Sequence, residues 1–343
     1  MSDTSLRIHG ITFSNLTQLP GGRNNRVFRA EGPDGAVLIK HYFHNPSDAR
    51  DRLDAEYSML SFLHEHGIKN VPKPLLKDEN AHTGVYGFLQ GTPVNRDSVS
   101  ENDVIALADL LYTMWDMRTV DTAQNLAFAS DACFTLREYA HKVASRIASL
   151  SHLSPDNLIN RDVLNFVDND LQPFFSIIHE LCSADPILYD SALDTQFYAL
   201  SPSDHGFHNA IRATDGTLYF VDFEYSGWDD PAKMLCDPLL QPDIPVPEQY
   251  HTLFIKKMQP LINVIPMHTD KISFIYTILS VKWCCILLNE FMPVSDARRK
   301  FSGNIPDDSR KLQQLELSRK LFDKTKYQFK HKYFLNLLSK AKQ

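Results

Sequence analysis

The stretch LSPSDHGFHNAIRATDGTLYFVDFEY, residues 200–225, decides how the rest of the chain is read. Its first half packs Ser203, Asp204, His205, His208 and Asn209 into seven positions between apolar ends. Polar side chains this dense, just ahead of a strand, mark either a tight turn or a site. The second half carries Asp215-Gly216, a strong hairpin signal, because a type I′ turn wants positive φ at both central residues. With a two-residue loop, cross-strand partners sum to 431 in residue number, which sets Asn209 opposite Asp222. On that register their Cβ atoms lie roughly 4.5–5.5 Å apart on one face. An amide oxygen and a carboxylate then meet at the open end of a hairpin, beside Asp204 in the preceding loop. Side chains so placed can hold a hard divalent cation, since magnesium takes a few oxygen ligands plus substrate phosphates. Each residue alone reads as a strand cap or a turn stabiliser. Their convergence is what points to a site.

The whole chain sets limits on that site. Its 343 residues suit one large domain or two lobes with a substantial core. Hydrophobic residues make up 43% and charged residues 22%, the composition of an ordinary globular protein. No apolar run approaches the roughly 18 residues of a membrane span; the nearest, Ile275 to Phe291, carries Lys282 in its middle. The N-terminus lacks the basic and apolar regions of a secretory signal. Five cysteines with no CxxC or other zinc spacing read as reduced thiols of a cytoplasmic protein. The net charge of −7 hides an asymmetry: Arg310 to Gln343 holds ten Lys/Arg against Glu316 and Asp323, a balance of +8 that leaves −15 on the rest. An acidic body argues against nucleic acid as a partner. The basic tail, with Leu315, Phe322 and Phe329 at steps of seven, reads as an amphipathic helix. It either docks on its own acidic domain or binds a membrane surface or partner.

Residues 1–90 read as a small sheet with one helix. VFRA and AVLIK flank the turn-rich EGPDG, a hairpin signature. The following segment sets Leu53, Tyr57, Leu60 and Leu63 on one helical face, with Ser47 as N-cap and Gly67 as stop. VPKPLL and GVYGFL read as two further strands. From residue 91 to 343 the pattern is mostly helical. Residues 103–117 put Ile105, Ala108, Leu111, Tyr112 and Trp115 at helical spacing, and short apolar clusters around Leu164–Ile178 are separated by polar turns. The fold class is therefore α+β, in two lobes. Neither a P-loop nor a GxGxxG run occurs, and HEHG at His64–Gly67 is no zinc-protease motif.

Asp204, then Asn209 five positions on, then a hairpin to Asp222-Phe223-Glu224, resembles the catalytic and metal loops of the protein-kinase-like fold. More closely, the pattern resembles the aminoglycoside phosphotransferase/choline kinase family of small-molecule kinases, over nearly the whole chain to about residue 300. LPGGRNNRVFRA is similar to that family's nucleotide-covering loop, which brings Gly21, Gly22 and Asn24 to the phosphates. VLIK ends in Lys40 on a strand, where a phosphate-contacting lysine stands, and Glu56 on the next helix is its partner. GFLQG lies at the interlobe hinge, where the backbone at Phe88 and Leu89 meets adenine.

The resemblance implies an enzyme that uses ATP and magnesium to phosphorylate a hydroxyl of a small molecule: a sugar, an amino sugar or an amino alcohol. Residues 1–90 become the nucleotide-binding lobe. Asp204 orients the acceptor and accepts its proton, and Asn209 and Asp222 hold magnesium. The alternative is a pseudokinase-type nucleotide-binding module without turnover. One departure leans that way: Pro202 stands where the family commonly has histidine. Gly206, where protein kinases often have lysine, favours a small acceptor. In GWDDPAKMLCD, Asp237 reads as a brace for the catalytic loop. Asp229 and Asp230, with Glu224, Tyr225 and Trp228, read either as an acidic, aromatic-edged rim for a cationic acceptor or as turn residues and solvated charges. His205 and His208 are read as packed, hydrogen-bonded histidines.

Overall fold

The hairpin predicted around EGPDG forms the centre of an antiparallel sheet. In the computed structural model, which describes residues 5–20, 25–45, 48, 50–264, 269–293, 299, 301–303 and 308–342, β3 (Asn25–Gly32) pairs with β4 (Gly35–Tyr42), with Gly32 opposite Gly35. β1 (Leu6–Ile8), β2 (Ile11–Gln18), β5 (Pro74–Asp78) and β6 (Thr83–Gly87) complete the order β1-β2-β3-β4-β6-β5. One face buries Phe13, Ala30, Val37, Ile39 and Val85 in a small core. Helix α1 (Arg52–Glu65) buries Leu53, Met59, Leu60 and Leu63. It begins at Asp51, whose carboxylate accepts the Asp54 N–H (2.9 Å). The expected N-cap, Ser47, lies outside the described residues, and the helix starts later than its sequence pattern suggested. Gly67 ends the segment with φ of +89°, the left-handed conformation that favours glycine.

A short strand, β7 (Thr92–Pro93), leads into a helical region. A Cβ on Gly91 would lie 2.5 Å from the Arg212 carbonyl oxygen, so only glycine lets the chain cross here. Helix α2 (Glu101–Asp116) opens on a Ser100/Asp103 capping box. Of its expected face Ala108, Leu111 and Trp115 are buried and Ile105 and Tyr112 half-buried, and Val104, Leu107 and Met114 widen the buried stripe. α3 (Leu136–Ser151) follows. The apolar clusters expected between turns form one continuous helical run instead. α4 (Leu158–Phe166) passes through a π-helical turn at Val167–Leu171 into α5 (Gln172–Ser183). The apolar side chains recur every turn across that join, so burial carries the helix through its polar residues.

After α6 (Pro186–Asp190) come four short strands: β8 (Ala199–Ser201), β9 (Ala210–Arg212), β10 (Leu218–Phe220) and β11 (Gly227–Asp229). They form two small sheets, β10-β9-β7 and β11-β8. α7 (Pro231–Leu240), α8 (His251–Lys257) and α9 (Gln259–Val264) follow, then α10 (Thr269–Leu287), which touches α3 and α7 and is buried almost all round. By length and composition, residues 269–291 do qualify as a membrane-spanning helix, contrary to the sequence reading; 78% of the apolar window is buried inside the protein. All five cysteines are buried and unpaired.

The basic tail forms α11 (Asp308–Lys330) and α12 (Tyr333–Ala341), broken at Lys332, whose φ is +49°. Leu315 and Phe322 are buried, Phe322 edge-on to Phe166 and Phe174, and the Ser318 hydroxyl donates to the Cys284 carbonyl (3.0 Å). Arg319 pairs with Asp162 (2.6 Å) and Lys324 with Glu248 (2.6 Å).

His251, 1% exposed, is held by the Val246 carbonyl (2.9 Å) and the Tyr333 hydroxyl (2.9 Å). Burial pushes its pKa down to about 4. The unfolded chain therefore binds a proton there below roughly pH 6.5 that the fold refuses until about 4. This contribution is complete above pH 6.5 and is lost as pH falls toward 4, to the extent of about 3 kcal/mol. The thermal midpoint of the wild type should fall more between pH 7 and 4.5 than that of His251→Asn; parallel pH profiles would contradict this.

Candidate active site

The hairpin after the polar stretch forms, but on a different register from the expected one. Leu218 faces Arg212 and Phe220 faces Ala210, so partners sum to 430. The Ala213 N–H donates to the Thr217 carbonyl (2.9 Å) across a three-residue loop, and Gly216 alone takes positive φ (+89°). This is a type I turn with a bulge in place of the two-residue I′ turn. Asn209 therefore stands opposite Val221, whose N–H it accepts (2.9 Å). A one-residue slip should turn Asp222 to the other face. Its left-handed backbone (φ +68°) re-aims it instead, toward Lys40.

Lys40 is the centre of the first cluster. It lies on β4, nearly buried, 2.6 Å from Glu56 of α1, in direct contact with Asp222 and 3.6 Å from Glu224. Glu56 is held by the Tyr42 hydroxyl (2.7 Å), which also meets Tyr86 (2.7 Å), and it accepts the Phe223 N–H (3.3 Å). Glu56, Asp222 and Glu224 offer oxygens within 4.8 Å of one another, facing one ammonium. Burial favours the neutral amine, yet the carboxylates of Asp222, Glu56 and Glu224 hold the Lys40 pKa well above its ordinary value. Burial pushes the Asp222 carboxyl up to about 7, against the pull of Lys40 and with Glu224 and Glu56 adding to the rise. A carboxylate group with this excess of negative charge suits a cation. Sequence reasoning missed Tyr42 and Asn25. Tyr42 sits two positions after Lys40, hence on the same strand face. Asn25 donates to Glu224 (2.5 Å).

The catalytic-loop candidates form a second cluster. The Asn209 amide donates to the Asp204 carbonyl (2.9 Å), which leaves its own oxygen for another partner. Asp204 Oδ1 lies 3.4 Å from His208 Nε2. Burial would raise the Asp204 pKa, but His208, His205 and Lys233 outweigh it and hold the carboxyl below its usual range. His205 is buried against the Met234 carbonyl (3.2 Å), and burial lowers its pKa. Beneath the loop lies Lys233, 0% exposed. It donates to the Ser203 hydroxyl (2.7 Å) and carbonyl (3.2 Å) and pairs with Asp229 (2.8 Å) and Asp237 (2.9 Å). Ser203 is itself left-handed (φ +64°), a conformation that needs such holding. The Asp229-Lys233-Asp237 spacing of four on each side was a legible signal.

The acceptor rim, one of two readings of residues 224–230, does not form. Asp229 and Asp230 are 0% and 2% exposed: the first pairs with Lys233, and the second caps α7 through the Ala232 N–H (2.7 Å). Trp228 donates to the Ala123 carbonyl (3.1 Å). Glu224 faces Lys40. The spacing of these residues along one strand and turn sends them inward, where other elements cover them. Instead, a cavity of about 340 Å³ opens beside Asp204, lined among others by Arg50, Asp131, Arg146, Lys282 and Trp283. Another of about 390 Å³, between α10 and the C-terminal helices, touches none of the predicted site residues. At the hinge, the Phe88 N–H is engaged by the Ala36 carbonyl (3.3 Å), and Leu89 is half-buried. Gly21, Gly22 and Asn24 lie outside the described residues.

Residues 15–158 match the phosphotransferase enzyme family, a segment that holds Lys40 and Glu56 and ends before Asp204. No curated protein sequence matches the chain. Among solved structures, a choline kinase from Streptococcus pneumoniae is 17% identical, with 91% of this chain and 94% of that one covered and a TM-score of 0.55. A spectinomycin phosphotransferase solved with ADP and spectinomycin is 14% identical, over 96% and 92%, at 0.59. An ethanolamine kinase from Plasmodium vivax is 17% identical, over 91% and 83%, at 0.56. At such identities the shared property is the fold, which is protein-kinase-like.

Lys233→Met should leave two buried carboxylates unpaired and cost about 3–5 kcal/mol of stability. Adding Asp229→Asn and Asp237→Asn should restore the thermal midpoint but not turnover, because Ser203 stays unheld. A triple variant that recovers both would reduce Lys233 to a purely structural residue.

Proposed function

We propose that this chain, which has the fold of the small-molecule kinases and matches the phosphotransferase enzyme family over residues 15–158, transfers phosphate from ATP to a hydroxyl of a small molecule, with magnesium. The observation that carries this reading is the Lys40–Glu56 pair (2.6 Å) facing Asp222. Lys40 suits a point charge on the nucleotide phosphates, and Glu56 and Tyr42 keep it in position. The Asn209 oxygen and Asp222, with Glu224 behind, suit magnesium; when bound, it offsets the charge of the phosphates. Asp204, held ionised, orients the acceptor hydroxyl and takes up its proton. Gly21, Gly22 and Asn24 cover the phosphates in this reading, and the backbone at Phe88 and Leu89 receives the adenine. Phosphoryl transfer asks little covalent chemistry of the protein, so alignment and charge do most of the catalysis. Five unpaired thiols suit the reducing cytoplasm.

The reading as a nucleotide-binding module without turnover rests on Pro202. The Lys233–Ser203 contacts brace the loop where a histidine is missing, which favours turnover.

Asp204→Asn should keep the rise in thermal midpoint caused by ATP with magnesium and lose phosphorylation by roughly 10²–10⁴-fold. Asp222→Ala should lose the metal-dependent part of that rise. A wild-type midpoint indifferent to nucleotide and metal, or turnover retained by Asp204→Asn, would contradict the assignment.

A further inference from the structure

We infer that the hydroxyl acceptor is an anion, a small compound carrying a phosphate or carboxylate group, and that Arg50, Arg146 and Lys282 receive that group. The inference rests on the kinase reading for the hydroxyl and on the cavity beside Asp204 for the anion.

Three cations, Arg50, Arg146 and Lys282, line this cavity against two acids, Asp131 and Asp204. Asp131 is shared by Arg146 (3.2 Å) and Lys282, whose Nζ stands 3.7 Å away, beyond hydrogen-bond reach. Asp48 is shared by Arg50 (2.7 Å) and Arg52 (2.7 Å) and is not part of the cavity wall. Apart from Asp204, the lining is thus net positive among the described residues. Lys282 and Trp283 are adjacent on α10, and both are nearly buried. The Trp283 indole N–H, on that same wall, is buried with no hydrogen-bond partner among the described residues. An indole nitrogen only donates, so an oxygen-rich group is the partner it lacks.

A cationic acceptor needs the opposite arrangement: unpaired carboxylates or an aromatic cage. Asp229 and Asp230 are buried elsewhere, Glu224 faces Lys40, and Asp131 is already matched by two cations. A choline-like or amino-sugar cation would meet like charge here, which costs affinity and specificity. A forked guanidinium beside an ammonium is instead a common receptor for phosphate or carboxylate.

The test compares matched acceptors: a hexose, its 6-phosphate, the matching uronic acid and the amino sugar, with ethanolamine as a small cation. Binding is measured by calorimetry without nucleotide, and turnover by ADP release with ATP and magnesium. An anionic member should bind, and be turned over, roughly tenfold or more better than the free hexose and the amino sugar. The phosphate and carboxylate arms identify the group. Arg146→Gln and Lys282→Gln should each erase most of that preference while leaving the thermal shift by ATP unchanged. Preferred turnover of the amino sugar or ethanolamine, an anion preference untouched by both substitutions, or no binding of either anion would overturn the inference and leave the kinase reading standing. Anion binding that depends on Arg146 and Lys282, without phosphate transfer to any member, would sustain the anion site and count against the kinase reading.

Discussion

Everything at the cleft depends on one ammonium group placed among three carboxylates. Lys40 comes from the sheet, Glu56 from α1, and Asp222 and Glu224 from the segment after the hairpin, so a single buried charge ties the two regions together. Such a cluster is costly to assemble, because each ion gives up its hydration, and removing one partner strands the others. Its value is positional. With an excess of negative charge around one lysine, the carboxylates are set to accept a further cation, and the lysine is fixed where a polyanion can meet it.

Lys233 plays the complementary part on the far side. It too is a buried lysine between carboxylates, Asp229 and Asp237, but its remaining hydrogen bonds go to Ser203 in a strained backbone. One lysine-centred cluster therefore holds the loop that bears Asp204, and the other faces Asp222. The acidic residues that look like a binding rim in sequence are consumed by this scaffolding. Arg50, Arg146 and Lys282 line the cavity beside Asp204 instead.

Much of this was legible in the chain, and what was not has identifiable causes. Asp204, Asn209 and Asp222 stood out through the polar stretch and the hairpin beside it, whereas Lys40 and Glu56 were readable only through the resemblance to the family. The register was misread because Asp-Gly fits a type I′ turn and a three-residue loop equally well. Asp222 turns to Lys40 because it adopts a positive φ that nothing in its residue type announces. The surroundings of Glu224, Asp229 and Asp230 were not legible because spacing along a turn, a short strand and a helix cap does not tell which neighbours will cover them. Arg50, Arg146 and Lys282 left no motif at all: they lie far apart in sequence, on the segment before α1, on α3 and on α10, and meet only in the folded chain. The tail was legible as amphipathic, but its break at Lys332 was not.

The most direct measurement is a crystal structure with a non-hydrolysable ATP analogue and magnesium. The account predicts metal density ligated by Asn209 and Asp222, with Lys40 on a phosphate while still paired to Glu56. Nucleotide bound away from Lys40, or metal ligated by neither Asn209 nor Asp222, would contradict it.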